Sequence, residues 1–307
     1  MDRLVVMFGG SGFVGRYIAQ ALLAQGVRVR FAERDPRRAW FLKPQGNLGQ
    51  TQFVAADITK PASVAQAVRG ADAVINLVGV LKGDFQKLHV EGARTIAQAA
   101  AQAGVATLVH LSAIGADPAS PAAYGRSKGL GEQAVRQAFP NAVILRPSIV
   151  FGREDQFINR FAALIRMLPV LPVIRGGVKF QPVYVGDVAQ AAAKIVLEPA
   201  VHAGRTYELG GPQVLTMAAL NAWIAAETGR TPTQLPVPDA LAKIMARLPG
   251  GPMTHDQWLM LQRDNVVAPD AAGLAALGVT PTPLAAVAPG WLVQYRRHGR
   301  FGTPNAA

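Results

Sequence analysis

The chain has 307 residues, half of them apolar and 16% charged. That excludes a disordered or low-complexity polypeptide and leaves length for one large domain or two modest ones. It has no cysteine, so disulfide scaffolds, thiolate metal sites and cysteine nucleophiles are excluded. The 31 basic and 19 acidic residues give a net charge of +12. This favours an anionic partner (a phosphorylated cofactor, anionic lipid, nucleic acid or an acidic protein face) without choosing among them.

Met1-Asp2-Arg3 leads directly into an apolar strand-like run without the features of a signal peptide, so a cytoplasmic location is expected. The apolar stretch Ala73–Leu81, broken by Asn76, falls far short of the roughly 20 residues that span a bilayer. Strands are expected at Leu4–Phe8, Val27–Phe31, Gln52–Ala55, Ala73–Val78, Thr107–Leu111 and Ala142–Leu145. Between them the pattern predicts helices at Phe13–Ala24, Ala62–Val68, Phe85–Ala103 and Ala122–Ala138, with a further one at Asp187–Leu197 capped by Asp187. Gly26, Pro61, Gly70, Gly104, Pro118, Pro121 and Pro140 punctuate the connections. Strands alternating with helices at this pitch imply an α/β fold, a doubly wound parallel sheet. Beyond about residue 200 the prolines at 232, 236, 238, 249, 252 and 269 break the chain. Short helices are predicted there at Met217–Glu227, Ala240–Arg247 and His255–Gln262. The expected division is a domain over 1–200 and a smaller, mostly helical region over 201–307. Basic residues cluster at Arg34, Arg37 and Arg38 and again at Arg296, Arg297 and Arg300. No aromatic-interleaved basic stretch of the RNA-binding kind is read from the sequence.

The most informative segment is Phe8-Gly9-Gly10-Ser11-Gly12-Phe13-Val14-Gly15, between the first strand and the first helix. A turn without side chains lets the backbone approach a pyrophosphate, and the N–H groups and dipole at the helix start attract the anion. At a first strand–helix junction this predicts a dinucleotide site. Glu33 lies 18 residues beyond Gly15, where an acidic side chain would bind the ribose 2′-hydroxyl of NAD. Arg34, Arg37 and Arg38 follow it and would suit a 2′-phosphate. The charge balance favours NADP(H) over NAD(H), with Glu33 turned to solvent or paired with an arginine.

Tyr124 and Lys128 are four apart, which places them on one helix face. A nearby ammonium favours the phenolate, so the tyrosine pKa is expected below its ordinary value of about 10, suiting proton transfer to or from a carbonyl or alcohol oxygen. None of the five histidines has metal-ligand spacing, and His110, within a strand, reads as a core or edge residue.

The Gly-x-x-Gly-x-x-Gly loop and the Tyr-x-x-x-Lys string resemble the short-chain dehydrogenase/reductase superfamily, in its extended and atypical branches. On that resemblance Ser112, at a strand end, orients the substrate oxygen beside Tyr124 and Lys128, the implied catalytic set. Asp57 corresponds to the adenine-contacting aspartate; it also reads as a cap for the helix near Pro61. The implied cofactor site further takes in Ile58, Leu77, Val78, Gly79 and Pro147. Where the superfamily often has an asparagine in Asn-Val-x-Gly, this chain has His89-Val90-Glu91-Gly92.

The run Arg146–Asp155, ending Gly-Arg-Glu-Asp, and the run Gln181–Ala189 resemble the NAD(P)-binding 39 kDa accessory subunits of respiratory complex I and their bacterial relatives. The resemblance is good over residues 4–200 and looser beyond. It implies a protein that holds NADP(H) as a structural or regulatory cofactor, docked on complex I or another membrane-edge assembly at the inner face of the membrane. The alternative is an active oxidoreductase or epimerase/dehydratase using the Ser-Tyr-Lys set on a small carbonyl, quinone-like or sugar-nucleotide substrate. A nucleic-acid partner is not expected, because it would leave the glycine loop unexplained. Ala240–Arg247, amphipathic and basic, and the aromatic–cationic tail Trp291–Arg297 are the segments read as candidates for a lipid interface or a partner.

Overall fold

Five consecutive buried residues, Leu4–Phe8 (β1), form a strand covered on both faces. A computed structural model of the chain describes residues 3–248 and 253–301. Met1, Asp2, Pro249, Pro252 and the side chain of Arg300 lie outside the described residues. Beside β1 stand Arg28–Glu33 (β2), Thr51–Ala55 (β3), Ala73–Asn76 (β4), Thr107–Leu111 (β5), Val143–Pro147 (β6) and Thr206–Leu209. They make a seven-stranded sheet in the order β3-β2-β1-β4-β5-β6 and then Thr206–Leu209, all parallel. The register pairs Phe8 with Ala32 on one side and Asn76 on the other, so β1, β2 and β4 end together. The order reverses between β1 and β4, the switch point where open α/β sheets leave a crevice at their carboxyl ends.

Side chains alternate across the strands. Val6 and Phe8, with Val74, Leu108 and Ile144, join a core with helices Pro61–Val68 (α2), Gly92–Gln102 (α3) and Ala123–Ala138 (α4). Helix Phe13–Ala24 (α1) packs instead with helix Val185–Leu197. Each fully buried Val, Leu, Ile or Phe adds roughly 1.5–3 kcal/mol, so the β1 row holds the following loop on a rigid base. Arg146 fastens β6 to α4, its guanidinium donating to both Glu132 oxygens at 2.9 and 2.6 Å.

Most elements match the sequence pattern to within a residue or two, with informative exceptions. The expected helix Phe85–Ala103 is a π-helical turn, Gln86–Glu91, running into α3. The Gly92 N–H reaches back to the Lys87 carbonyl, five residues away, and a side chain at Gly92 would press on Ile58. The fourth strand stops at Asn76 because the Asn76 side chain accepts the Val78 N–H at 3.1 Å, turning the chain. Asp187 is not a cap: the helix begins two residues earlier, at Val185, and Asp187 sits buried in its first turn.

Contacts divide the chain into two units that are not contiguous halves. The first comprises Met1–Pro147, Val185–Leu209 and Ala268–Thr280; the second comprises Ser148–Tyr184, Gly210–Val267 and Pro281–Ala307. A single cut at residue 200 is therefore replaced by several chain crossings. The second unit adds short paired strands to its helices: Val170–Ile174 with Thr233–Val237, Val150–Phe151 with Val183–Tyr184, and Lys179–Phe180 with Leu215–Thr216. Asp155 accepts the N–H groups of Phe157 and Ile158 at 2.9 and 2.6 Å, at the head of helix Ile158–Met167. Trp291 and Leu292 are buried in this unit's own core, and Arg296 donates to the Glu227 carbonyl. The aromatic–cationic tail therefore packs on its own unit. No helix among the described residues is long and apolar enough to cross a membrane.

Candidate functional site

The glycine loop leaves β1 with Gly9 at φ +78°, a conformation that side chains resist. A Cβ on Gly10 would stand 2.7 Å from the Phe31 ring, and one on Gly15 2.5 Å from the Gly10 carbonyl oxygen. Small residues thus bring α1 tightly onto the loop. Gly12 caps α1 without a side-chain acceptor and the first turn holds no acid, so the leading N–H groups and the dipole are left for an anion. These residues fit a pyrophosphate.

Glu33, at the end of β2, accepts the Ser11 N–H at 2.8 Å. It is neither turned to solvent nor paired with an arginine, as the sequence suggested; the strand register places it beside the loop. Asp35 takes Arg37, with two bonds of 2.9 and 3.0 Å. Arg34 and Arg38 are exposed and form no ion pair among the described residues. Asp57 accepts the Thr59 N–H at 3.0 Å and the Thr59 hydroxyl at 2.8 Å. These bonds, with Lys60 and Arg34 nearby, hold its carboxyl below the usual range. It is not the cap of α2, a position that falls to Lys60. The Ile58 side chain lies in the core, against α3. Leu77 donates its N–H to Phe8, and a Cβ on Gly9 would meet the Leu77–Val78 peptide at 3.3 Å, so the β4 loop lies against the glycine loop.

Further along the sheet edge, Ser112 follows β5 with its N–H on the Leu145 carbonyl at 2.7 Å. Its hydroxyl is buried and has no hydrogen-bond partner among the described residues. Pro147, buried at the end of β6, accepts the Ile114 N–H at 3.0 Å. Lys128 reaches from α4 and donates to the Leu111 carbonyl at 2.7 Å. Burial lowers its pKa to about 8, with Glu132 opposing. Tyr124 departs from expectation: burial pushes its hydroxyl up to about 12, the opposite of a lysine-activated phenol.

Sequence reasoning noted His89 only as a replacement for asparagine. In the structure it is a clamp. Its Nε2 accepts the Val80 N–H at 2.9 Å, so the proton sits on Nδ1, which lies 2.8 Å from Ser127 Oγ. The Ser127 hydroxyl donates in turn to the Tyr124 carbonyl at 2.8 Å. Burial and Lys128 lower the His89 pKa to about 4, keeping the ring neutral. It stacks on Phe85 at 5.2 Å and meets Tyr124 edge-on at 5.7 Å. The π turn aims it inward, and Gly131 lets α4 close on the His89 carbonyl. Asn76 was also missed; its amide lies 3.1 Å from His110 Nδ1, and both side chains are buried. A polar residue interrupting an apolar strand was the available signal.

A switch-point glycine loop, an acid at the next strand's end and a Ser-Tyr-Lys set define an NAD(P)-binding Rossmann protein. The chain belongs to the NAD dependent epimerase/dehydratase family, whose model matches residues 5–210. The mitochondrial NADH dehydrogenase (ubiquinone) 1 alpha subcomplex subunit 9 of Rattus norvegicus is 37% identical over 293 residues, 92% of this chain and 77% of the relative. The mitochondrial NADH-ubiquinone oxidoreductase 40 kDa subunit of Neurospora crassa is 31% identical over 313 residues, 98% and 81% of the two chains. A ceramide reductase of Caulobacter vibrioides is 33% identical over 198 residues, 63% of this chain and 60% of the relative. A Citrobacter triphenylmethane reductase shares the fold at a TM-score of 0.76 and 20% identity, covering 94% of this chain and 99% of its own. So does an NADPH-dependent quinone oxidoreductase of Escherichia coli solved with NADPH, at 0.74 and 23%, covering 92% and 97%.

Proposed function

We propose that the chain holds NAD(P), with NADP(H) preferred, as a structural or regulatory cofactor beside a membrane-bound respiratory assembly. The similarity to two complex I subunits over more than nine-tenths of the chain supports the assembly and a peripheral place on the inner membrane face. One observation carries the non-catalytic reading: the proton-handling groups are tied into the protein. Lys128 is bonded to Leu111, His89 is locked between Val80 and Ser127, and Tyr124 is pushed up to about 12. The glycine loop would hold the pyrophosphate, with Glu33 bracing the loop through the Ser11 N–H. Arg34 and Arg38 supply the positive charge for a 2′-phosphate.

The nucleotide released on denaturing the purified protein should be NADP(H). Calorimetric titration should show tighter binding of NADPH than of NADH, with Arg34→Ala narrowing the difference. Equal affinities in the wild type overturn the preference, and absence of binding by either overturns the reading. Co-purification with a membrane complex at moderate salt tests the partner.

The unpartnered Ser112 hydroxyl favours a second reading, an oxidoreductase or epimerase/dehydratase. A bound nicotinamide would supply or accept hydride. Ser112 would orient a substrate oxygen, Tyr124 would exchange a proton with it, and Lys128 would add positive charge beside them. In that case Tyr124→Phe keeps cofactor affinity and abolishes turnover. Absence of NADPH oxidation by the wild type with carbonyl or quinone acceptors, and of epimerase/dehydratase turnover with sugar nucleotides, removes this reading.

A further inference from the structure

The chain leaves β2 through a 3-10 helix, Pro36–Gln45, begun by Asp35, whose side chain accepts the Arg37 N–H. At three residues per turn, side chains three apart stand in line. One line, Ala39 and Leu42, is fully buried and anchors the helix. The other two, Arg37-Trp40-Lys43 and Arg38-Phe41-Pro44, are exposed throughout. Trp40 is 57% exposed and Phe41 49%, and Leu48, in the turn that follows, is wholly exposed. Such apolar groups on one short segment mark a contact surface. Cations stand on both sides of the rings. Arg37 and Lys43 flank Trp40, Arg38 precedes Phe41, and the Arg16 guanidinium lies 5.0 Å over the Phe41 ring. The one acid of the segment, Asp35, is spent on Arg37.

We propose that this helix is a docking surface for an anionic lipid bilayer, with Trp40 and Leu48 entering the headgroup layer and Lys43 meeting a lipid phosphate. The charge selects a negative occupant, and the apolar tips select a bilayer, where indole and aliphatic side chains settle beside cations. Single-stranded nucleic acid is recognised by stacking successive bases on open rings. Here the Phe41 face carries Arg16 and Leu48 offers no ring. An acidic peptide is the weaker fit, since the exposed lines stand outward from the buried one. The sequence reading takes Arg37 and Arg38 only for a 2′-phosphate, because the cations and rings sort into lines only at threefold pitch.

The test uses the full purified chain and protein-free vesicles, so its result is separate from the cofactor reading and from any respiratory partner. Vesicles containing phosphatidylglycerol should sediment the wild type at least about tenfold more effectively than phosphatidylcholine vesicles, and salt should weaken the effect. The double variant Trp40→Ser/Leu48→Ser should lose about tenfold of that binding while keeping NADPH affinity, which reports its fold. On unaltered protein, brominated lipid should quench tryptophan emission, and Trp40→Phe should bind vesicles but lose the quenching. The proposal is overturned if the double variant binds as well as wild type, if quenching survives Trp40→Phe, or if the two vesicle types bind alike. Tighter binding to a single-stranded oligonucleotide or polyglutamate than to anionic vesicles also overturns it.

Discussion

The glycine loop and the Tyr124 region share one sheet edge and are built on opposite plans. At the loop, side chains are removed so that backbone donors stand open at the head of α1, with the Ser11 N–H taken by Glu33 and the Gly12 N–H by the Gly9 carbonyl. Around Tyr124, donors and acceptors are mostly paired within the protein: Lys128 with Leu111, Val80 with His89, Ser127 with Tyr124. The contrast teaches that a motif's residues can be present while their protons are occupied. Binding an anion needs open donors; moving a proton needs a group free to change partners.

The strongest way to break this contrast is at Gly15. Gly15→Val places side-chain atoms against the Gly10 carbonyl, which already lies 2.5 Å from an ideal Cβ. Overpacking of this kind costs about 3 kcal/mol or more, and dinucleotide affinity should fall beyond about a hundredfold in fluorescence titration. Retained affinity would show that the loop is not the receptor.

Next comes the buried ammonium. The folded protein holds the Lys128 pKa near 8, against 10.5 for the free side chain. Between those values the unfolded chain binds the extra proton, so this cost to stability is full below pH 8 and fades as pH rises to 10.5. Lys128→Met should stabilise the cofactor-free protein by about 3 kcal/mol at pH 7 in urea unfolding, and by little at pH 10.5. An unchanged difference across that range would place the ammonium in a wetter site than the structure shows.

His89 gives a smaller effect at the other end of the scale. Its folded pKa is near 4, against 6.5 unfolded, so its contribution is full above pH 6.5 and is lost as pH falls toward 4. His89→Gln supplies an acceptor for Val80 and a donor for Ser127 without titrating. It should remove about 2 kcal/mol of the acid-induced loss and leave neutral stability nearly unchanged. The smallest effect is expected at Glu33. Glu33→Gln keeps an acceptor for the Ser11 N–H and deletes a charge, shifting the NADPH-to-NADH affinity ratio toward NADPH by about fivefold.

Much of this molecule is legible in its sequence. The apolar runs and glycine breaks locate β1, α1 and β5 to the residue, because local pattern and burial agree there. The Tyr124–Lys128 spacing correctly puts both on α4. What escaped depends on contacts between distant residues. His89 and Ser127 are 38 positions apart, and nothing local announces their bond. Glu33 offered solvent, arginine or ribose as partners, and only the strand register reveals Ser11. The sign of the Tyr124 shift turns on burial, which competes with the lysine and is set by packing. The unit boundary was missed because the chain crosses repeatedly, whereas composition changes only near residue 200.

The wide turn at Gln86–Glu91 stores one residue of slack in an otherwise regular rod. Deleting a residue there would tighten the coil to ordinary pitch and swing the imidazole by roughly a quarter of a revolution, unhooking it from both tethers without disturbing the apolar stripe downstream.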